Sequence, residues 1–277
     1  MNHKNESGKE IMLSIIVVNY NHKYFPRMCV EAMEKSKCNF EFEIIAVDNN
    51  SHDESVDYLR QCHKDGRLTL VQSRVNLGYG KGNNLGVEYA NGKYVMICNP
   101  DVFVQEDSFQ KMIDYMESHK EIGLLGPKLM YYNGQIQDSC RRHRGFLDLI
   151  IKRTPLKLIP ALKKRLDKYL MQDFDHNTVQ EVELLTGACF VMPTTLYRDI
   201  KGFDERYFLF MEDFDLCLRV HDKGFKVVYY PDAICTHYHK RLSQGTFLSQ
   251  LGKKTFWIHV SSAIKYFWKW RGRKTSS

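Results

Sequence analysis

MLSIIVVNYN, residues 12–21, is an apolar run that ends abruptly in polar residues. An apolar run without alternation is typical of a strand buried on both faces of a parallel sheet. Comparable runs at 43–47, 68–72 and 94–98 predict three further strands. Helical patterns follow the four runs, at about 26–35, at 51–63 with Ser51 as cap, up to about 91, and at 106–118. This alternation predicts an α/β fold with a doubly wound, mostly parallel central sheet and helices on both faces.

The second half of the sequence is less regular. Strands are predicted at 184–192 and 226–230, and a helix at 214–222 that ends before Gly224. The sequence contains no internal repeat and no low-complexity linker. We therefore predict no clean boundary to a second domain.

Length and composition exclude several protein classes. The 277 residues, 43% hydrophobic and 26% charged, suffice for a substantial core and exclude collagen, coiled coil and wholesale disorder. No apolar run approaches the ~18 residues of a membrane span. The run that ends at Val18 lacks a signal-peptide cleavage site. The eight cysteines include no C-x-x-C pair, so we expect reduced thiols in a cytoplasmic protein.

Positive charge is concentrated in two segments. The chain carries +7 overall, yet residues 139–172 hold ten lysines and arginines against two aspartates, and 253–277 hold seven basic residues and no acid. The remainder of the chain is therefore acidic. Such segments suit either a nucleic acid or an anionic membrane surface. An acidic main body would repel a duplex, so we expect no nucleic-acid partner.

Polar residues follow four consecutive predicted strands. The strand ends continue as NYN at 19–21, DNNS at 48–51, NLGYGKGNN at 76–84 and NPD at 99–101. Ligands of open α/β sheets bind beyond the carboxyl ends of the strands. Four such ends in succession therefore favour one binding site over four unrelated turns.

The glycine-rich loop is not a dinucleotide fingerprint. Gly78 and Gly80 are followed by Asn83 where a third glycine is required, and the loop follows the third strand. A nicotinamide-dependent oxidoreductase is therefore disfavoured. The loop can instead approach a ligand closely, with Lys81 near a phosphate and Asn84 able to hydrogen-bond.

Two aspartates at strand ends have the chemistry of ligand contacts. Asp48 can accept a hydrogen bond from a pyrimidine N–H or from ribose hydroxyls, or it can cap the following helix, and the sequence leaves both open. Asp101 is a hard oxygen ligand suited to a divalent cation, and Asn99 can add a carbonyl.

Two further positions are candidates for catalysis and metal binding. Glu212 and Asp213 are adjacent carboxylates among apolar residues, which suits either a general base tuned by burial and a neighbouring like charge or the first turn of a helix. Asp215 is placed to pair with Arg219 one turn later. His237 is as consistent with a metal ligand as with a structural histidine.

Together these residues resemble the inverting glycosyltransferases of family 2 on the GT-A fold, nearest the rhamnosyltransferase-like branch that builds bacterial surface polysaccharides. The resemblance covers about residues 12–245 and rests on the order and spacing of its motifs. They are SIIVVNYN at 14–21, IIAVDNNS at 44–51, NLGYGKGNN at 76–84, NPDV at 99–102, LTGACFVM at 185–192, GFDERYF at 202–208, MEDFDLCLR at 211–219 and the histidine at 237.

The resemblance implies a role for each motif. Asp213, beside Glu212, matches the catalytic base, and Asp101 with His237 matches the site of Mg²⁺ or Mn²⁺ on the donor diphosphate. Gly187 and Ala188 would line the sugar pocket. The implied nucleotide contacts are Val18, Asn19, Asp48, Asn50, Asn76, Gly78, Lys81, Asn84 and Asn99. The D-x-D motif begins here with Asn99, as is common in this branch.

The resemblance also implies a domain organisation and a reaction. A catalytic domain is expected over 1–245, with a nucleotide-binding half at 1–102 and an acceptor and catalytic half at 103–245 that contains the basic insertion 139–172. A basic amphipathic helix and tail follow at 246–277. The implied reaction moves L-rhamnose from dTDP-rhamnose to a hydroxyl of a lipid-linked saccharide. The alternatives are a UDP-hexose donor, galactose or N-acetylglucosamine, and, as a different class, a non-catalytic nucleic-acid-binding protein.

The basic segments are expected to form amphipathic helices. Leucines recur every fourth residue in 158–170, beside lysines and arginines. In 256–270 the apolar residues on one arc are Phe256, Trp257, Val260, Ala263, Ile264, Phe267, Trp268 and Trp270. Such helices suit the headgroup region of an anionic bilayer, and the alternative is docking on the core of the protein itself. We expect peripheral attachment to the cytoplasmic, inner face of the cell membrane.

Overall fold

A computed structural model describes residues 10–143, 145–238 and 252–273. The predicted boundary between residues 245 and 246 lies outside the described residues, as do Arg144 and the tail from 274 onward.

Eleven strands occur in these described ranges. Their bounds are Ile11–Asn19 (β1), Glu41–Asp48 (β2), Thr69–Gln72 (β3), Tyr94–Cys98 (β4), Val102–Val104 (β5), Ile122–Met130 (β6), Cys140–Arg141 (β7), Gln180–Glu181 (β8), Leu184–Leu185 (β9), Cys189–Pro193 (β10) and Lys226–His237 (β11). Nine of them form one sheet, and β7 pairs with β9 separately.

Nine α-helices connect or cover the strands in the same ranges. They are Phe25–Glu34 (α1), Ser55–Lys64 (α2), Tyr79–Glu88 (α3), Ser108–Ser118 (α4), Phe146–Arg153 (α5), Pro160–Tyr169 (α6), Thr194–Asp199 (α7), Glu212–Asp222 (α8) and Lys254–Lys269 (α9). A 3₁₀ turn at Pro155–Leu158 joins α5 to α6.

The main sheet has the order β3-β2-β1-β4-β10-β6-β11-β5. The four predicted strands, β1 to β4, are parallel, and so are β6 and β11. β10 runs antiparallel to its neighbours β4 and β6, and β5 runs antiparallel to β11. The mostly parallel sheet predicted from the sequence is therefore confirmed. Because β1, β2 and β4 are parallel neighbours, their carboxyl ends meet at one edge.

The core lies on both faces of this sheet, and β1 shows why. Ile16 and Val18 pack into one hydrophobic cluster, whereas Leu13, Ile15 and Val17 pack into the other. Both faces of β1 are therefore buried, as its unbroken apolar run predicts. All eight cysteines are free thiols and seven are buried, which agrees with the predicted reduced state.

Three local predictions are wrong. α2 begins at Ser55 rather than 51, because the Ser51 hydroxyl is turned toward β1, where it accepts from the side chain of Asn19 and the backbone N–H of Asn21. The strand predicted over 184–192 is divided into β9 and β10 by residues 186–188.

The third concerns the strand that ends at His237. The strand predicted to end at residue 230 continues through Pro231 and Asp232 as β11, with an irregular register between Tyr230 and Ile234. Such an irregularity accommodates a proline, which cannot donate to the sheet. His237 is consequently the last residue of a long strand and not part of a loop.

No helix in the three described ranges has the length and apolar composition needed to cross a bilayer.

Candidate active site

Asn19 and Asp48 form a polar pair at the carboxyl ends of β1 and β2. They are register partners in the parallel pair, and both side chains are buried. Nδ2 of Asn19 donates to Oδ1 of Asp48 at 3.3 Å and to the hydroxyl of Ser55 at 2.8 Å. Asp48 does not cap α2, whose N-cap residue is Glu54, so that structural alternative is wrong. The contact of Asp48 with a nucleotide base stays a prediction. The hydrogen bond from Asn19 holds the carboxylate in place at the sheet edge.

The glycine-rich loop is fastened to this edge by Asn49. Its Nδ2 donates to Oδ1 of Asn76 at 3.1 Å and to the carbonyl of Gly78 at 3.0 Å. Gly78 has φ +84°, and a Cβ there would lie 2.2 Å from the carbonyl oxygen of Phe208. That carbonyl accepts from the N–H of Tyr79, so the loop is also held by the segment that precedes α8. Only glycine fits this crossing of two backbones.

Val18 and Asn50 lie beside the polar pair. The side chain of Val18 packs under α3, where a Cβ on Gly82 would approach it to 3.0 Å. Asn50 has φ +66° in the turn after β2, a conformation that asparagine tolerates better than most residues. Their nucleotide contacts stay predictions.

Lys81 and Asn84, on α3, contact residues of the 203–205 segment. Lys81 pairs with Glu205 at 3.3 Å, and both side chains are about half exposed. Asn84 donates to the carbonyl of Phe203 at 2.9 Å and accepts from the hydroxyl of Tyr197 at 2.6 Å. Asn84 therefore holds α3 against this segment, and Lys81 keeps an exposed cation at the end of the glycine-rich loop.

Asp101 and His237 meet between the loop after β4 and the end of β11. Nε2 of His237 lies 3.4 Å from Oδ1 of Asp101. Gln137 accepts from Nδ1 of the same ring at 2.9 Å, and its amide donates to the His237 carbonyl at 2.9 Å. These two bonds fix the ring so that Nε2 faces the carboxylate. A histidine oriented in this way through its other nitrogen is the usual arrangement at a metal.

Asp101 and His237 can bind a divalent cation, but they supply only part of its ligands. Within the described ranges no three histidine, cysteine or acidic side chains are grouped so as to hold a metal. Asp101 and His237 offer one oxygen and one nitrogen ligand. The buried Oδ1 of Asn99 has no hydrogen-bond partner in the described part of the chain. Mg²⁺ commonly takes one or two carboxylates and completes its shell with substrate phosphates and water.

Two hydrogen bonds donated by backbone N–H groups connect this candidate ion site to the acidic pair on α8. The N–H of Asn99 donates to the carbonyl of Ala188 at 2.8 Å. The N–H of the preceding Gly187 donates to Oδ2 of Asp213 at 2.8 Å. A Cβ on Gly187 would lie 2.9 Å from Cβ of Asp213, so only glycine allows this approach. Residues 99, 187–188 and 213, which are far apart in the sequence, therefore form one continuous structure.

The two carboxylates on α8 have different environments. Glu212 is buried, and burial together with the charge of Asp213 raises the pKa of Glu212 to about 8. Asp213 is partly exposed. Burial raises the pKa of Asp213, but N–H donors from Gly187 and Phe214 oppose that rise by stabilising the ionised carboxylate. At neutral pH Glu212 therefore holds a proton, and Asp213 is the more exposed carboxylate, with two N–H donors that favour its ionised form.

The backbone before this pair is strained. Phe210 and Met211 have φ +72° and +71°, in the left-handed region that few non-glycine residues adopt. Each such residue costs on the order of 1–3 kcal/mol, and such strain persists only where surrounding structure enforces it. Here it directs Glu212 and Asp213 toward the glycine-rich loop and Gly187.

The α9 helix packs against α8 directly behind these carboxylates. Asp215 is fully buried and accepts from Nε of Arg219 at 2.7 Å, Nζ of Lys269 at 2.6 Å and Nε1 of Trp270 at 2.9 Å. The predicted pair of Asp215 and Arg219 is confirmed. The face of α9 that carries Ala263 and Tyr266 is buried, and because Ala263 belongs to the predicted apolar arc, part of that arc docks on the core of the protein.

The basic segment 139–172 is not a uniform exposed face. Arg141 is only 5% exposed. Arg142 pairs with Asp173, and Arg165 forms a bidentate pair with the fully buried Asp148.

Sequence reasoning missed Gln137 and Arg141. Gln137 bonds to a residue one hundred positions later, and nothing in its neighbourhood marks that contact. Arg141 was counted only as one of ten basic residues in its segment. Its positive charge reaches Asp213, where it lowers the pKa of the carboxyl.

Comparisons with known proteins identify the family of this chain. The family model of glycosyl transferase family 2 matches residues 14–179. Rhamnosyltransferase WbbL of Escherichia coli K12 is 24% identical over 266 residues, which cover 92% of either chain. N-acetylglucosaminyl-diphospho-decaprenol L-rhamnosyltransferase of Mycobacterium tuberculosis H37Rv is 28% identical over 221 residues, 73% of this chain and 68% of its own.

Solved structures share the fold at low identity. GalNAc-T7, crystallised with UDP, GalNAc and Mn²⁺, gives a TM-score of 0.69 at 13% identity over 96% of this chain and 49% of its own. TarS of S. aureus gives 0.59 at 17% identity over 83% of this chain and 37% of its own. This chain thus spans less than half of either solved chain.

The predicted GT-A fold is confirmed by these likenesses, which at such identities concern the fold alone. The family match covers more than half of the sequence and includes the strand ends at 19, 48 and 99–101. The chain therefore belongs to glycosyl transferase family 2, and it is a sugar-transferring enzyme related to rhamnosyltransferases.

Proposed function

We propose that this enzyme transfers L-rhamnose from dTDP-rhamnose, with inversion and with the help of a divalent cation, to a hydroxyl of a lipid-linked saccharide in bacterial surface polysaccharide synthesis. The observation that carries the proposal is the backbone connection from Asn99 through Ala188 and Gly187 to Asp213. It links a candidate ion site to a reachable carboxylate across Gly187, which allows the close approach of Asp213. A UDP-hexose donor is the second candidate, because TarS was also crystallised with UDP-GlcNAc.

In this proposal each group of residues has one task. Asp48 and Asn19 hold the pyrimidine and ribose. Asp101 and His237 hold Mg²⁺ or Mn²⁺, which when bound neutralises the charge that develops on the leaving diphosphate. Lys81 lies close enough to the glycine-rich loop to assist with a phosphate.

Asp213 takes the proton from the acceptor hydroxyl as that oxygen attacks the anomeric carbon. Attack from the face opposite the diphosphate inverts that carbon in a single displacement. Glu212 remains protonated beside Asp213, so the site carries one negative charge where a second would repel the donor diphosphate. General-base catalysis of this kind contributes about 10²- to 10⁴-fold.

The proposed acceptor carries a lipid, as does the substrate in the name of the mycobacterial relative. The chain offers an apolar face to receive a membrane, which we define by exposed residues of α9 and of 146–159. They are Trp257, Ile264, Trp268, Phe146, Leu147, Leu158 and Ile159. The two parts meet where the rings of Phe146 and Phe267 lie 5.6 Å apart.

Cations surround this apolar face. Lys254 and Lys265 are exposed on α9 beside its apolar stripe, and Arg271 is exposed just beyond the end of the helix. Near an anionic bilayer each such residue contributes about 1 kcal/mol, and the tryptophans suit the headgroup region. We propose peripheral attachment to the inner face of the cell membrane, with residues 1–245 as the catalytic domain, divided at 102, and 246–277 as the membrane-facing helix and tail.

Donor and cation are tested together by a panel of dTDP- and UDP-sugars in thermal shift and turnover assays, each with Mn²⁺ and with EDTA. We expect the largest stabilisation and turnover with dTDP-rhamnose and Mn²⁺. Equal turnover in EDTA would remove Asp101 and His237 from their roles, and a preference for a UDP-hexose would transfer the proposal to the second donor.

Membrane attachment is tested by co-sedimentation with phosphatidylglycerol and phosphatidylcholine vesicles. The variant Trp257→Ser/Trp268→Ser should lose most binding to the anionic vesicles, whereas the matched variant Tyr24→Ser/Tyr89→Ser, exposed elsewhere, should not. Binding that is equal for both variants would contradict the assignment of the apolar face.

A further inference from the structure

Arg141 is a buried cation behind the proposed catalytic base. It ends β7, which pairs with β9, where Arg141 is the register partner of Leu184. Three residues further along the chain from Leu184, Gly187 holds the carboxylate of Asp213. Arg141 is 5% exposed, so the fold has withdrawn a permanently charged guanidinium from water at this position.

The guanidinium lacks a protein anion. Its Nη1 donates to the carbonyl of Cys140, and its Cζ lies 5.9 Å from the ring centre of Tyr169. No carboxylate in the described part of the chain lies within ion-pair distance of it. Its neighbour shows the contrast, because Arg142 pairs with Asp173 at 2.9 Å. Buried charges are normally paired, so a buried guanidinium without an ion pair is a candidate to bind an anionic ligand.

Arg141 has five N–H donors, and within the described part of the chain the interactions that engage them are the bond to the Cys140 carbonyl and an interaction with the Tyr169 side chain. None of its nitrogens is among the polar atoms that the described chain seals off without a partner. A planar guanidinium with free N–H groups binds phosphate oxygens in a bidentate manner, which an ammonium does not.

The position of Arg141 indicates which substrate carries this phosphate. Its charge reaches Asp213, where the acceptor hydroxyl must lie during transfer. The guanidinium also lies near the ring of Tyr169, at the end of α6, the helix that follows the exposed Leu158 and Ile159. Arg141 therefore neighbours both the proposed base and the helix next to part of the proposed apolar face, which favours a phosphate that joins a sugar to a lipid as its ligand.

We propose that Arg141 binds the diphosphate of a lipid-diphosphate-linked saccharide and thereby selects such acceptors over neutral glycosides. This inference rests on the proposed function and adds to it the chemical class of the acceptor. The contact is made to both the ground state and the transition state, so its loss raises KM for the acceptor more than it lowers kcat.

The test compares two acceptors that differ only at this point. One is the saccharide on a short-chain lipid diphosphate, and the other is the same saccharide on a neutral alkyl chain. Arg141→Gln and Arg141→Lys are assayed with both acceptors, and Arg142→Gln serves as the control that removes a neighbouring charge. The melting temperature and the binding of dTDP with Mn²⁺ show that each variant is folded.

Arg141→Gln should lower kcat/KM for the diphosphate acceptor about 10- to 100-fold more than for the neutral acceptor, because an effect on Asp213 is common to both acceptors whereas the charge-assisted bidentate contact is not. Arg141→Lys should fall between wild type and Arg141→Gln, and Arg142→Gln should resemble wild type on both acceptors. Equal losses on the two acceptors, or a raised KM for the donor instead, would overturn the assignment. A wild-type enzyme that transfers sugar to neither acceptor would instead refute the proposed function itself.

Discussion

Replacing Glu212 by glutamine distinguishes the role of Glu212 from that of the adjacent carboxylate, Asp213. The side chain is buried, and its pKa is raised from 4.5 to about 8 by burial and by the charge of Asp213. A carboxyl whose pKa is raised on folding binds its proton more tightly in the folded chain than in the unfolded one. Its contribution to stability is therefore complete below about pH 4.5 and is lost as the pH rises toward about 8.

The size of this effect follows from the same two values. Each pH unit between them corresponds to about 1.4 kcal/mol, so the wild type loses about 4–5 kcal/mol through Glu212 over that window. Glutamine has nearly the same shape and does not ionise. Glu212→Gln should therefore exceed wild type in free energy of unfolding by about 1 kcal/mol or less at pH 5 and by about 4 kcal/mol at pH 8.

Urea unfolding at pH 5, 7 and 8 measures this difference, with Glu88→Gln on the exposed part of α3 as the matched control. The Glu88→Gln curve should follow the wild type throughout. Glu212→Gln should also keep transfer within about tenfold of wild type at pH 7, because the general base is Asp213. Parallel stability profiles for Glu212→Gln and wild type would refute the buried, protonated state of Glu212. Loss of all transfer would show that the two carboxylates act together.

Two further predictions concern the support of Asp213. Gly187→Ala places a Cβ 2.9 Å from Cβ of Asp213 and should displace the carboxylate. We expect kcat in a transfer assay to fall about 10- to 100-fold. The control is Gly145→Ala, whose Cβ would meet no atom within 4 Å and which should have no effect. Lys269→Ala removes the Nζ that lies 2.6 Å from the fully buried Asp215. The free energy of unfolding, measured by urea denaturation, should fall by about 1.5–3 kcal/mol. Because α8 then loses part of its support, kcat should fall as well.

The control for the second change is Lys265→Ala, on the same helix but exposed and bonded only to the carbonyl of Arg206. It should change stability by less than about 0.5 kcal/mol. If Lys269→Ala behaved in the same way, the docking of α9 would not support the catalytic helix.

The first half of the fold was predictable because its signals are local. β1 and β4 are buried on both faces, so nearly every residue in them is apolar, and the polar residues that follow mark the sheet edge. β6 was not predicted from the sequence, because Gly123, Gly126 and Pro127 interrupt its apolar pattern. β11 was cut short because a proline inside a strand is read as a turn unless an irregular register is known to accommodate it.

The site was predictable only where topology alone assembles it. Parallel strands bring Asn19, Asp48 and Asn99 to one edge whatever the remainder of the chain does. Gln137 and Arg141 are placed by pairings with distant segments. Arg141 is surrounded in the sequence by other basic residues, so nothing in the sequence indicates that its side chain is buried. Likewise the apolar arc of α9 is broad enough to serve two surfaces, and only the packed structure shows that Ala263 docks while Trp268 remains exposed.

The proposed role of Asp213 as the catalytic base is tested most directly by comparing donor binding with sugar transfer in Asp213→Asn. Asparagine is nearly isosteric and can still accept the N–H of Gly187, but it cannot take a proton from an acceptor hydroxyl. Calorimetric affinity for the nucleotide donor with Mn²⁺ should stay within about threefold of wild type, while kcat falls by about 10²- to 10⁴-fold. Transfer at the wild-type rate would contradict the assignment of Asp213 as the base, and loss of donor affinity in parallel with kcat would show that this carboxylate holds the nucleotide rather than the proton.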